Sequence, residues 1–175
     1  HGTFIKALAP DGKVSRVVSV NLDPVAVEKV LAKGGDAVLS RAEDLDLSSI
    51  KPDLFMSFET IEHLTDPVRF LHALATRGSS PYLLMTVPYC RTSRFGGGRL
   101  REPMESWPKN LTAEDVHVYE FSADDWLLMA RFAGWRPIFT DTYLQYPRRS
   151  PLRLTRPMWN RLDFEGFSRR FWSAI

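Results

Sequence analysis

The chain has a single cysteine, Cys90, so no internal disulfide can form, and a lone thiol fits a reducing compartment. No apolar run approaches the roughly 20 residues that cross a bilayer, and the first residues hold no signal-peptide core. Charge of one sign is scarce as well: 23 basic residues against 21 acidic ones give a formal +2, which demands neither nucleic acid nor an anionic membrane as partner. Internal repeats and low-complexity segments are absent. A soluble cytoplasmic protein is the expectation.

What is present suits one domain over residues 1–175, since 44% hydrophobic and 12% aromatic content can build a sizeable core. Valine-rich or apolar strand-like runs at 14–22, 37–39, 53–58 and 82–87 alternate with helix-like segments, which predicts an α/β fold with a largely parallel sheet. Asp23, Asp66 and Ser122 stand where helix N-caps belong, with Pro24 and Pro67 suited to a first helical turn. Residues 3–8 read as the end of a helix, closed by the turn formers Pro10, Asp11 and Gly12. Residues 135–146 and 171–175 read as strands, a closing pair with a basic excursion at 147–170 between them. That excursion interleaves arginines with aromatics; core aromatics with arginines snorkelling outward are the favoured reading over a nucleic-acid surface.

The segment 89–116 breaks the pattern with Gly96, Gly97, Gly98, Pro103 and Pro108 among arginines, and reads as a variable substrate or lid loop. Its glycines follow no strand and precede no Lys-Ser/Thr pair, so a hinge is expected rather than a phosphate loop. Arg91, Arg94, Arg99 and Arg101 either close on an acidic substrate or are simply solvated.

The densest chemistry lies just past the run 53–58, where Glu59, Glu62 and His63 follow an apolar strand, at the sheet edge where open α/β folds bind ligands. Carboxylates and imidazoles gathered at a cleft suit proton transfer, His63 as base above all. The competing reading has Glu62 capping backbone amides and His63 packed against the loop after the 82–87 strand. His117, in an aromatic stretch, is either packed at a loop–helix junction or part of the same site.

Several quoted stretches together resemble the class I S-adenosylmethionine-dependent methyltransferases. Residues 52–67, with Glu62-His63 followed by Asp66-Pro67, look like that family's fourth strand and its loop; 83–88 looks like the fifth; and His117 with Phe121-Ser122 and Ala133-Gly134-Trp135 resembles its downstream elements. The resemblance implies a doubly wound, mostly parallel Rossmann-like sheet with a C-terminal antiparallel strand pair. His1-Gly2-Thr3 resembles the end of the glycine-rich first motif, so the family's first strand is missing from this stretch and upstream residues are expected. It further implies S-adenosylmethionine as cofactor, along Gly2, Asn21, Leu22, Ala42, Glu43 and Phe58, and catalysis by His63, Glu62 and His117.

Two positions depart from the family pattern. Asn21 stands where an acid usually holds both ribose hydroxyls, with Asp23 as a substitute, and Arg41 stands where an adenine amino group is usually accepted. The implied acceptor is a small molecule, O-methylated: a sugar, glycolipid or secondary metabolite. Glu59, Glu62, His63 and His117 also resemble the metal set of small-RNA 2′-O-methyltransferases, so a divalent metal and a metal-assisted RNA methylation form one alternative. A non-catalytic binding domain of the same fold is the other. Asn21→Ala is expected to weaken S-adenosylmethionine binding and Arg41→Ala to leave it nearly unchanged, as measured by calorimetry; the reverse order would refute the placement of Asn21.

Overall fold

The structure, a computed structural model, describes residues 14–48, 50–110 and 116–142. Gly2, the helix end at 3–8, the turn at 10–12, the excursion 147–170 and the strand at 171–175 lie outside the described residues.

The α/β alternation is present. Strand β1 (Val18–Asn21) leads to helix α1 (Pro24–Leu31), then β2 (Asp36–Leu39), β3 (Phe55–Phe58), α2 (Pro67–Arg77) and β4 (Leu83–Thr86). Each helix starts where its cap residue predicts. Asp23 accepts from the backbone N–H groups of Val25 and Ala26, at 2.9 and 3.2 Å, and Asp66 accepts from that of Arg69 at 2.9 Å, so donors orphaned at each helix start are satisfied. Helix α1 ends at Gly34, whose φ of 75° is the left-handed conformation that glycine adopts without a Cβ clash.

The strands pair in parallel as the α/β reading requires: β1 with β2, Val18 opposite Asp36, and β3 with β4, Phe55 opposite Leu83. Among the described residues, no ladder joins these two pairs, so the single doubly wound sheet appears here as separate two-stranded pieces. The segment 89–116, in its described residues 89–110 and 116, has some regular structure. It holds strand β5 (Arg94–Phe95), paired antiparallel with β6 (Tyr119–Glu120), and short 3-10 turns at Gly98–Arg101 and Met104–Ser106. Helix α3 (Ala123–Phe132) follows, capped by the Ser122 hydroxyl, which accepts from the Asp125 N–H at 3.2 Å. The expected strand at 135–146 is not formed in its described part, 135–142: Ile138 and Phe139 are exposed there, and Pro137 offers no N–H to a ladder.

The core gathers where these pieces meet. Ile61, Leu71, Trp126 and Ala133 are buried together, with Phe70, Leu83 and Met85 packed against them. Trp126 is buried and Trp135 partly buried, and each gives its indole N–H to a carbonyl: Trp126 to Pro88 at 3.0 Å, Trp135 to Leu71 at 2.9 Å. Ile61 comes from the loop after β3 rather than from a strand or α-helix, so that loop is part of the core. Leu71→Ala removes a fully buried side chain from this junction. It is expected to cost about 2–5 kcal/mol in urea unfolding, and a loss well under 1 kcal/mol would show that the site collapses around the gap.

Candidate active site

Strand β3 turns abruptly at its carboxyl end. Glu59 takes a φ of 47°, the one positive value among the described non-glycine residues, and its N–H still bonds to the Thr86 carbonyl at 3.0 Å, adding a rung to the β3–β4 ladder. Its carboxylate accepts from the Thr86 hydroxyl at 2.8 Å. Past this turn a 3-10 segment, Ile61–His63, drops Ile61 and Glu62 into the interior. The returning chain is stitched over it: the Val118 N–H bonds to the Glu62 carbonyl at 2.9 Å, and the Tyr119 hydroxyl to the Thr65 carbonyl at 3.1 Å.

Three of the four residues expected as metal ligands are brought together. Potential ligand atoms of Glu62, His63 and His117 all lie within 4.8 Å of one another. The two imidazole rings meet edge to face with centroids 4.9 Å apart. Glu59 stands outside this group because the left-handed turn directs its carboxylate to Thr86 on β4.

Burial sets the chemistry of the cluster. The Glu62 side chain is 0% exposed, and neither of its oxygens has a hydrogen-bond partner, a condition shared among the described residues only by the Ser57 hydroxyl. Loss of water is the largest cause pushing its carboxyl up to about 7; its own backbone amide and His63 oppose the shift, and the nearby Glu59 charge adds to it.

His63 has a defined tautomer. Its Nδ1 lies 2.8 Å from the Val116 carbonyl, which only accepts, so Nδ1 carries the hydrogen and Nε2 is the lone-pair nitrogen of the neutral ring. That Nε2 lies 3.7 Å from Glu62 Oε1. On the far side of the cluster His117 Nδ1 lies 3.7 Å from Oε1 of Glu120, a buried carboxylate on β6 that the sequence reading missed.

The residues expected to hold the cofactor are more dispersed. Asn21, at the end of β1, uses its side-chain oxygen to accept the Asp23 N–H at 2.9 Å, which leaves its amide nitrogen as the donor on offer. Asp23, the proposed substitute, caps α1 through both carboxylate oxygens. Leu22 is half-exposed beyond the strand end, and Phe58 closes β3. Glu43 accepts the Asp66 N–H at 2.8 Å on one oxygen and the Arg41 guanidinium at 3.0 Å on the other, and these bonds hold its carboxyl below the usual range against the opposing effect of partial burial. Arg41 is thus a partner of Glu43 and not an isolated donor.

Ala42 and Glu43 line a cavity of about 880 Å³ between their 3-10 turn and the face of α2 that carries Arg69, Ala73 and Arg77. The Glu62–His63–His117 group does not line it. Of the loop arginines, Arg94 is paired with Glu120, and Arg101 bonds to the carbonyls of Gly96 and Phe95 at 2.8 and 2.9 Å, so both secure the loop itself.

Residues 1–77 match the model of a family described as a methyltransferase domain. Over those residues, less than half of its length, the chain is similar to that family. The match spans β1 to the end of α2 and includes Asn21, Glu43, Glu59, Glu62 and His63, and it supports the class I S-adenosylmethionine-dependent resemblance; His117 lies beyond it. No curated protein matches the chain. Among the described residues, no helix is long and apolar enough to cross a membrane.

A carboxyl at about 7 in the folded chain and at 4.5 when exposed means the folded state holds an extra proton between those values. The stability gap between wild type and Glu62→Gln should therefore move against the wild type as pH rises from about 4.5 to 7, by on the order of 3 kcal/mol, and level off above. Urea unfolding in EDTA across that range tests this, and a gap independent of pH would mean that Glu62 ionises without cost.

Proposed function

We propose that this methyltransferase domain moves a methyl group from S-adenosylmethionine to a hydroxyl oxygen of a small acceptor, with Glu62, His63 and His117 managing the proton. The observation that carries this reading is a fully buried, unpaired carboxyl set 3.7 Å from the lone-pair nitrogen of an oriented imidazole.

The cofactor, when bound, supplies an electrophilic sulfonium methyl, so the protein's task is to position an oxygen and receive its proton. Asn21 would hold the ribose through its amide nitrogen, while Leu22, Ala42 and Phe58 offer apolar surface, and Glu43 keeps acceptor capacity beyond the bonds it already makes. The residues present fit the group in these respects, and Gly2 lies outside the described residues. His63 Nε2 accepts the hydroxyl proton. The imidazolium that results faces Glu62, and ionised Glu62 then gains the partner that it otherwise lacks. His117, edge-on to His63, walls the site on the side of β6. With side-chain exposures of 22% and 36% for His63 and His117, the opening suits a small acceptor such as a sugar, glycolipid or secondary metabolite.

The orphaned carboxyl also favours a second reading, in which Glu62, His63 and His117 hold a divalent ion that binds the acceptor hydroxyl, as in metal-assisted 2′-O-methylation. A carboxylate with two imidazoles suits Mn²⁺ or Fe²⁺ better than a structural zinc.

Calorimetry with S-adenosylmethionine and S-adenosylhomocysteine is expected to show binding, and none at millimolar ligand would leave a non-catalytic domain of this fold. Under the proton-transfer reading, His63→Ala lowers kcat by about 10²–10⁴ and EDTA changes nothing. Activity lost to EDTA and restored by Mn²⁺ would instead establish the metal reading, and a steep salt dependence on RNA its nucleic-acid form.

A further inference from the structure

We infer that Glu120, clamped by Arg94, is a positioning residue that sets the tautomer of His117, so that strand β5 of the variable loop is a working part of the candidate site. The inference rests on the reading of His117 as a site residue.

Glu120 is only 6% exposed, and a carboxylate so buried needs a cation or several donors. Arg94 supplies the cation. It is the register partner of Glu120 across β5 and β6, and both Nε and a terminal nitrogen of its guanidinium converge on Oε2. The other oxygen, Oε1, faces the site, 3.7 Å from His117 Nδ1, an ion-pair distance rather than a hydrogen bond. The backbone fixes the other end of that contact: the Gly97 N–H holds the His117 carbonyl at 2.8 Å and the Gly96 N–H holds that of Val118 at 2.7 Å. Gly97 is needed for the fit, because a Cβ there would stand 2.7 Å from Glu120 Oε1 and 3.1 Å from the His117 carbonyl.

Negative charge beside one ring nitrogen favours the proton on that nitrogen. Glu120 therefore holds His117 in the Nδ1–H form, with Nε2 as the lone-pair nitrogen. That is the tautomer His63 is given by the Val116 carbonyl, so two separate devices bring both imidazoles to the same state. A site that uses these nitrogens as proton acceptors or as ligands needs that state in either case.

Histidine labelled with ¹⁵N reports the tautomer of His117 by NMR at alkaline pH, with no cofactor and no turnover. This keeps the test separate from that of methyl transfer. The wild type is expected in the Nδ1–H form, and Glu120→Gln should lower the Nδ1–H to Nε2–H ratio by about fivefold while far-UV circular dichroism stays unchanged. Gly97→Ala should shift the ratio the same way by displacing Oε1. If methyl transfer is established, Glu120→Gln should also lower kcat about tenfold at unchanged KM for the acceptor. A folded Glu120→Gln with the wild-type ratio would reduce Glu120 to a loop fastener. Should that variant fail to fold, finding wild-type His117 in the Nε2–H form would overturn the inference by itself.

Discussion

A carboxyl group cut off from water and from hydrogen-bond donors is the constraint around which this part of the chain is arranged. Glu62 reaches that position because its neighbour Ile61 is a core residue: a turn that buries one carries the other in with it. The cost is met by holding the proton, which is why the group sits near neutrality. The stitching of residues 116–118 over the turn, the orientation of His63 and the approach of His117 all form the enclosure that keeps water from Glu62.

The second buried carboxylate meets the same difficulty in another way. Glu120 is matched by a guanidinium from the adjacent strand, whereas burial of Glu62 favours its protonated form. The two imidazoles lie between them. The result is a row with an ion pair at the β6 end and a carboxyl of raised pKa at the β3 end.

Much of this was legible in the sequence where the signals are local. Helix starts at Asp23, Asp66 and Ser122 follow from side chains bonding to amides two or three residues on, and strand runs 53–58 and 82–87 were apolar enough to mark β3 and β4. The adjacent pair Glu62-His63 and the separate His117 could be read as a site because of their chemical type. What escaped depends on contacts far apart in the chain. Strands β5 and β6 are two residues each, too short for any period, and the Arg94–Glu120 pair spans 26 positions. Glu59 was grouped with the ligands on its resemblance to a known metal set, but the chain at that point is left-handed and its carboxylate goes to Thr86. Residues 135–142 carry strand-like side chains, yet among the described residues they have no strand to pair with, and a strand requires a neighbour.

That left-handed residue bears on how the strand end is built. Glycine would hold a φ of 47° freely, whereas a side chain there costs about 1 kcal/mol, and the chain places a glutamate instead. At the bend Glu59 is tied to Thr86 twice, by its N–H to the Thr86 carbonyl and by its carboxylate to the Thr86 hydroxyl. Strand β4 thus does more than flank β3: it holds the residue at which the chain leaves the strand for the turn that carries Glu62.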